Sequence, residues 1–86
     1  MELREIEYFI AIVENHGLSG AARELFVSQS ALSQFLLKLE TQVGTPLFLR
    51  NYKSLTLTEA GEIYYENAKK MGLGQMLKLW DDPYLC

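Results

Sequence analysis

Apolar side chains recur every three or four residues through most of this 86-residue chain, a spacing that predicts amphipathic helices. In the first segment the apolar positions are Leu3, Ile6, Phe9, Ile10 and Val13. They predict a helix over residues 3–15. The sequence Asn-His-Gly at 15–17 should end this helix, with Gly17 in the left-handed conformation that glycine tolerates.

A second, shorter helix is predicted over residues 20–26, GAARELF, with the Ser19 hydroxyl capping its first turn. Its inward positions would be Ala21, Ala22 and Leu25. The two alanines allow another helix to approach closely. The next two residues, Val27 and Ser28, suffice only for a tight turn.

A third helix should follow at once, because Ser28 is a good N-cap and the helical period resumes after it. The period is kept by Ala31 or Leu32, Leu36, Leu39 and Val43. Gly44 is expected to end this helix, and Thr45-Pro46 marks a loop. The period then becomes strand-like at 47–50, LFLR, and 55–57, LTL, which predicts a small β-hairpin joined by residues 51–54.

Thr58 has the character of an N-cap for a fourth helix, which should run from about Glu59 to at least Met71. Glu59 and Glu62 fall in its first turn, where the helix dipole favours negative charge. A second apolar stripe continues at Leu73, Met76, Leu77 and Trp80. Either the helix bends at Gly72 and Gly74, or this second stripe contacts something else.

Three helices, a hairpin and a long final helix in this order predict a winged helix-turn-helix, an all-α fold with a small β-hairpin. The single cysteine, Cys86, and the single histidine, His16, provide no disulfide, no His-Cys metal set and no recognisable nucleophile–base pair. We expect His16 to cap helix carbonyls, and Glu59, Glu62 and Glu66 to be solvated. Neither a secretion signal nor an apolar run of about 18 residues is present. We therefore expect a cytoplasmic protein that is not an enzyme and that binds no metal or cofactor.

Charge is unevenly distributed along the chain, whose net charge is −3. Residues 1–18 and 59–86 are net acidic, whereas residues 19–58 are net basic. The basic part contains VSQSALSQF at 27–35, a surface of serine and glutamine at the start of a helix. Such short polar side chains can enter a major groove about 12 Å wide and contact base edges. A helix cap followed by a solvated helix face would have the same composition, so the residues alone leave both interpretations open.

The segment from Ala21 to Glu40, AARELFVSQSALSQFLLKLE, resembles the helix-turn-helix signature of the LysR-type transcriptional regulators. The matching positions are Ala21, Ala22, Leu25, Val27, Ser28, Gln29, Ala31, Leu32, Ser33, Leu36, Leu39 and Glu40. Further matches follow at the family's spacing, namely Gly44, Pro46, Leu47, Phe48, Arg50, Leu57, Thr58, Glu59, Ala60 and Gly61. The resemblance extends from near Leu3 into the fourth helix.

The resemblance implies a dimeric bacterial regulator that binds double-stranded operator or promoter DNA. The recognition helix at 28–43 would enter the major groove, and the wing at 50–54 would lie on the backbone or minor groove. By position, Gln29 and Ser33 would read bases, and Ser28 would cap the helix and touch phosphate. The full expected DNA-binding set is Ser28, Gln29, Ser30, Ser33, Gln34, Lys38, Arg50 and Lys53.

Four positions of the recognition helix depart from the family pattern. Ser30 replaces the usual proline, while Gln34, Phe35 and Leu37 replace arginine or other polar residues. Phe35 would contact a thymine methyl group or fold back onto the domain, and Leu37 should pack on a neighbouring helix. Fewer arginines release fewer counterions, so we expect the isolated domain to bind DNA weakly and to rely on dimerisation.

The family also implies that the fourth helix joins two domains into a homodimer. The expected dimerisation residues are Ile63, Tyr64, Ala68, Met71, Leu77 and Trp80. The predicted organisation is a DNA-binding domain at 1–58, a dimerisation helix at 59–82 with a possible break near 72–74, and a tail at 83–86. We expect no effector-binding domain and no small-molecule effector site in this chain. The tail would be an artificial or truncated end, an extension that stabilises the dimer, or a docking surface.

A second function is compatible with the same residues. The chain could be a winged-helix interaction module that forms heterodimers with a full-length regulator and does not bind DNA itself. The acidic net charge, Phe35, Leu37 and the short tail favour that alternative. The polar surface from Ser28 to Ser33, together with Arg50, favours DNA binding.

Overall fold

A computed structural model of the protein describes residues 3–51 and 54–80, and for residues 71–80 it describes the backbone only. The described chain contains four helices and one two-stranded antiparallel sheet. The elements are α1 at Leu3–Asn15, α2 at Leu18–Leu25, α3 at Gln29–Val43, β1 at Phe48–Arg50, β2 at Leu55–Leu57 and α4 at Glu59–Trp80. This is the winged helix-turn-helix that the periodicity predicted. None of the described helices is both long and apolar enough to cross a membrane.

The hydrophobic core lies where the apolar faces of the helices meet the base of the hairpin. Its largest fully buried side chains are Phe9, Ile12, Leu32, Leu36 and Leu47. The centroid of the Phe9 ring lies 4.9 Å from that of Tyr64 and 5.4 Å from that of Phe48. Edge-to-face and tilted aromatic pairs at this separation are favourable beyond the area that they bury. Phe9 therefore joins α1 to both α4 and the wing.

A left-handed residue ends α1, but it is His16 and not Gly17. His16 has φ 57°, and its N–H donates to the Val13 carbonyl while the Gly17 N–H donates to the Ile12 carbonyl, both at 3.2 Å. These two bonds form a Schellman motif. The prediction for Gly17 was wrong because the motif closes one residue earlier, which leaves Gly17 in extended backbone at φ 165°.

Helix α2 begins at Leu18, earlier than predicted, and its N-cap is Gly17 without a side-chain hydrogen bond. Ser19 lies inside the first turn, so its prediction as the N-cap was wrong. The reason is the early closure at His16, which leaves Gly17 as the single residue between His16 and α2.

The turn between α2 and α3 repeats the same motif. Phe26 has φ 58°, and the N–H groups of Phe26 and Val27 donate to carbonyl groups in the last turn of α2. Ser28 then caps α3, as predicted, by accepting the Ala31 N–H at 3.0 Å. The recognition helix therefore begins at a defined residue and in a defined direction.

Helix α3 buries Leu32, Leu36 and Leu39, while Ala31 is exposed. Leu32 is thus the inward member of the pair that the sequence left open. Val43 is the last residue of the predicted period and is 41% exposed. The last turn of α3 extends beyond the core, and Gly44 ends the helix with φ 89°, as expected.

The predicted hairpin is present, with Phe48 opposite Leu57 and Arg50 opposite Leu55. Leu47 precedes β1 and is fully buried. Thr58 caps α4, as predicted, because its hydroxyl oxygen accepts the Gly61 N–H at 2.9 Å.

Helix α4 is continuous from Glu59 to Trp80, so the secondary structure has no break at 72–74. Glycine costs a helix about 1 kcal/mol relative to alanine, but unlike proline it keeps the backbone N–H that the helix needs. Gly72 and Gly74 are therefore compatible with an uninterrupted helix.

Candidate nucleic-acid interface

The polar surface predicted on the recognition helix faces away from the core. Ser28, Gln29, Ser30, Gln34 and Lys38 are exposed, and Ser33 is half-buried. Leu32, Leu36 and Leu39 of the same helix are buried and anchor it in the core. Gln29 is exposed and Ser33 keeps part of its surface exposed, so a ligand can reach both residues.

The structure brings the recognition helix and the wing together around one open groove of about 430 Å³. Gln29 at the start of α3 and Arg50 at the end of β1 both line it. Ser19 and Gly20 at the start of α2 and Asn51 after β1 also line it. None of these three residues was in the predicted DNA-binding set, because their proximity to Gln29 depends on how three separate elements pack.

The wing places Arg50 through a short network of hydrogen bonds. The Asn51 N–H donates to the Ser54 carbonyl at 2.9 Å, and the Asn51 side-chain amide donates to the Thr56 hydroxyl at 3.2 Å. Arg50 is exposed beside this turn. The Leu55 N–H donates to the His16 carbonyl at 2.9 Å, which attaches β2 to the end of α1. Lys53, the other predicted wing contact, lies outside the described residues.

Acidic and basic side chains are concentrated on different elements. Helix α1 exposes Glu7 and Glu14 against one basic residue, Arg4, and α4 exposes Glu59, Glu62 and Glu66 against Lys70. On α3 and β1 the exposed charged side chains are Lys38 and Arg50. The net negative charge of the chain is therefore compatible with a recognition face that carries positive charge.

A carboxylate that the sequence did not assign to the site attaches the wing to α3. Glu40 Oε2 accepts the backbone N–H of Leu47 at 2.7 Å and that of Phe48 at 3.2 Å. One sequence signal was available, because a carboxylate in the last turn of a helix is disfavoured by the helix dipole. An acidic residue at that position therefore calls for a partner outside the helix.

The family model described as "Bacterial regulatory helix-turn-helix protein, lysR family" matches residues 3–62, which include the recognition helix, the wing and the start of α4. The chain belongs to the LysR family. The resemblance recognised in the sequence is thus confirmed over the three helices, the hairpin and the first turn of α4.

Characterised LysR-family relatives are longer than this chain. The HTH-type transcriptional regulator BudR of Klebsiella aerogenes is 48% identical over 71 residues, which cover 83% of this chain and 50% of that protein. The HTH-type transcriptional regulator AlsR of Bacillus subtilis (strain 168) is 41% identical over 81 residues, which cover 92% of this chain and 27% of that protein. The chain therefore spans half or less of the length of these relatives.

Solved structures of LysR-family DNA-binding domains have the same fold. A crystal structure of the CbnR DNA-binding domain in complex with DNA matches with a TM-score of 0.80 and 33% identity, covering 91% of this chain and 88% of that chain. A complex of the BenM DNA-binding domain with benA site 1 DNA also matches with a TM-score of 0.80 and 33% identity, covering 92% and 91%. In both of these neighbours the matched domain is bound to DNA.

Two residues that depart from the LysR pattern behave differently from each other. Phe35 folds back onto the domain, where its ring lies 5.3 Å from the Tyr8 ring in an edge-to-face arrangement at 81°. Leu37 was predicted to pack on a neighbouring helix. This prediction was wrong, because Leu37 is 63% exposed. At 100° per residue, Leu37 lies on the same side of α3 as Ser30 and Gln34, opposite the buried leucines.

The residues predicted to form the dimer lie on different sides of α4. Ala68 is 1% exposed and Tyr64 packs against Phe9, so both belong to the core of this LysR domain. Burial raises the pKa of the Tyr64 hydroxyl, and the negative charge of Glu5 raises it further. Ile63 is 62% exposed and faces away from the core. The side chains of Met71, Leu77 and Trp80 lie outside the described residues.

Proposed function

We propose that this chain is the DNA-binding part of a LysR-type transcriptional regulator and binds double-stranded DNA sequence-specifically. Helix α3 would enter the major groove, and the wing would contact the backbone or the minor groove. The observation that carries the proposal is the open groove shared by Gln29 and Arg50, which joins a base-reading residue type and a phosphate-binding residue type. Because bacterial DNA lies in the cytoplasm, we assign the protein to the cytoplasm as part of the same proposal.

The proposed base contacts come from the first two turns of α3. The Gln29 carboxamide can pair with adenine through two hydrogen bonds, and the Ser33 hydroxyl can donate to or accept from several bases. Ser30 and Gln34 are exposed at the same end of the helix and would contribute further contacts. The Ser28 hydroxyl already accepts the Ala31 N–H, so any contact with phosphate would use its remaining hydrogen-bonding capacity.

The proposed phosphate contacts come from positively charged side chains on two elements. Arg50 and Lys53 would hold the wing against the backbone, and Lys38 would reach a phosphate one helical turn beyond Gln34. These contacts would set the position of the domain on the duplex and would be lost at high salt.

We also propose that the regulator is a homodimer joined through residues 59–82, with residues 1–58 as the DNA-binding unit. The exposed Ile63 supports an interface on the outer side of α4, since a large apolar side chain in water gains free energy by burial. Met71, Leu77 and Trp80 would extend the interface along the helix. Two recognition helices about 34 Å apart would then contact successive half-sites of an operator.

The alternative, an interaction module that does not bind DNA, has less support. The exposed Leu37 and the acidic net charge are compatible with it. However, such a module has no need for an open polar surface at the start of α3, next to an arginine.

The proposal can be tested by selecting duplexes from random DNA with the 86-residue chain and measuring binding by fluorescence anisotropy at several salt concentrations. We expect an enriched motif, and affinity that falls as salt rises. The Gln29→Ala variant should lose about 1–3 kcal/mol of discrimination between the motif and a scrambled duplex, which is the usual contribution of one bidentate base contact.

The matched control is Gln42→Ala, because Gln42 is an exposed glutamine in the last turn of the same helix. This variant should retain both affinity and preference. A chain that binds no duplex even at low salt, or a Gln29→Ala variant with unchanged preference, would contradict the proposal.

A further inference from the structure

The Glu40 carboxylate makes the hydrogen bonds that join the recognition helix to the wing. Its Oε2 atom accepts two successive backbone N–H groups, from Leu47 at 2.7 Å and from Phe48 at 3.2 Å. Among the described residues, these are the bonds that run directly between α3 and the wing segment. A charged acceptor makes stronger bonds to N–H groups than a neutral one does, so this attachment is well suited to fixing a position.

The two N–H groups that Glu40 binds stand at the start of the strand that carries Arg50. Phe48 is the first residue of β1 and Arg50 is the last. Two residues of extended chain span only about 7 Å, so a tilt at Phe48 is transmitted directly to Arg50. Glu40 therefore acts at the base of the wing, whereas Arg50 acts near its tip.

The other attachments of the wing lead to different helices. The Leu55 N–H donates to the His16 carbonyl at the end of α1. The Thr58 hydroxyl donates to the Pro46 carbonyl at 2.8 Å and thereby ties the loop before β1 to the start of α4. These bonds attach the wing to α1 and α4, whereas the hydrogen bonds of Glu40 attach it directly to α3.

We propose that Glu40 is a positioning residue for DNA recognition, which holds the wing at a fixed place relative to α3 so that Arg50 and Gln29 contact one duplex together. This inference rests on the proposed function. With Glu40 in place, the wing binds phosphate in a geometry that already exists. Without it, the wing has to be ordered during binding, and part of the favourable free energy of the Arg50 contact is spent on that ordering.

The test compares two substitutions of Glu40, one that changes the length of the side chain and one that changes its charge. Glu40→Asp keeps the carboxylate but shortens the side chain by one methylene group, so it cannot reach the N–H groups of Leu47 and Phe48. Glu40→Gln removes the charge but keeps an oxygen acceptor at the same reach. The negative charge of Glu40 repels a nearby phosphate directly, whereas its hydrogen bonds act by positioning the wing. This pair of variants distinguishes the effect of the charge from the effect of the hydrogen bonds.

Each variant is combined with Arg50→Ala, and binding to a duplex selected by the unchanged chain is measured at several salt concentrations. In the unchanged chain, Arg50→Ala should weaken binding about three- to tenfold and reduce the slope of log K against log salt by about 0.9, the value for one phosphate contact. The same fall should appear in the Glu40→Gln background. In the Glu40→Asp background, Arg50→Ala should change affinity less than about twofold, because the contact is already lost.

Gln29→Ala serves as the matched control for this coupling. Its effect should be the same in all three backgrounds, since Glu40 does not hold Gln29. The salt slope also separates positioning from general loss of structure, because a partly unfolded domain has fewer active molecules but the same number of phosphate contacts per bound molecule. Thermal unfolding of each variant sets an assay temperature at which all of them are folded.

Independent effects of Glu40→Asp and Arg50→Ala, with multiplied losses and an unchanged salt slope in Glu40→Asp, would overturn the inference. If Glu40→Asp does not fold, Glu40→Ala takes its place, because it also lacks an acceptor that can reach Leu47 and Phe48. Loss of the Arg50 effect in Glu40→Ala together with its retention in Glu40→Gln supports positioning by hydrogen bonds, and any other result overturns it. Failure of the unchanged chain to bind any selected duplex would instead contradict the proposed function itself, so the two failures are distinguishable.

Discussion

Gly61 lies where α4 passes closest to the segment before the wing. A Cβ atom at this position would overlap the Leu47 carbonyl oxygen and crowd the Leu57 side chain. The same carbonyl accepts the Thr58 N–H at 3.0 Å, so it cannot move without disturbing the residue that caps α4. Space, rather than a special backbone conformation, therefore requires glycine here.

We predict that Gly61→Ala lowers the free energy of unfolding by about 1–3 kcal/mol, the usual cost of overpacking, despite a gain in helix propensity of up to about 1 kcal/mol. The control is Gly17→Ala, because a Cβ at Gly17 would meet nothing within 4 Å and its backbone is extended. That variant should change stability by less than about 1 kcal/mol. Urea unfolding of both variants checks the prediction, and equal losses would refute it.

At the scale of single elements, α3 illustrates what periodicity can predict. Ser28 and the buried stripe of Leu32, Leu36 and Leu39 were predictable, because a cap and a stripe depend on neighbours within a few residues. The same period places Leu37 opposite that stripe, but whether a neighbouring helix covers it depends on how the helices pack, and Leu37 is exposed. The hydrogen bond from the Leu47 N–H to the Glu40 carboxylate joins two elements, so the periodicity of either element does not predict it.

The turns were less predictable than the helices that they join. Glycine is the residue most often found in a left-handed position, so Gly17 was the expected choice over His16. The actual closure depends on which carbonyl groups the chain can reach, and two non-glycine residues, His16 and Phe26, take that conformation. Composition therefore located both turns to within a residue or two without identifying the left-handed position.

The recognition helix also permits a prediction about affinity. Gln34 is exposed on α3, one helical turn from Ser30 and from Lys38. We predict that Gln34→Arg strengthens binding to unselected duplex DNA at low salt and steepens the slope of log K against log salt by about 0.9, because one more phosphate releases its counterions.

Gln42→Arg adds the same charge in the last turn of α3, remote from the start of the helix. It should change the slope less than Gln34→Arg does. Anisotropy titrations at several salt concentrations would measure both slopes. Equal changes in slope for the two variants would mean that residue 34 lies no closer to the DNA backbone than residue 42 does.

At the scale of the whole molecule, the size of the core limits what one chain can do alone. Small domains bury a smaller fraction of their surface than large domains do, and association with a partner adds to their stability. In this chain, α1 and the wing cover one side of α4, and Ile63 remains 62% exposed on the other side. A partner subunit on that outer side would add buried apolar area without disturbing the recognition face.

We predict that the chain has the mass of a dimer at micromolar concentration and that Ile63→Glu shifts it towards the monomer, because a carboxylate is costly to bury in an apolar contact. Val43→Glu, which places the same charge on another partly exposed apolar residue, should leave the dimer intact. Sedimentation equilibrium would measure both variants. A single-chain mass for the unchanged protein would refute the predicted dimer.

The two backbone closures on either side of α2 also restrict how this domain can diverge. From Asn15 to Gln29, one left-handed residue ends each helix and a single N-cap residue begins the next, with no spare residue at either junction except Val27. A residue inserted into α2 or deleted from it would rotate the following turn and α3 by about 100° about the axis of α2. The number of residues in this stretch is therefore a stricter requirement than the identity of its exposed side chains.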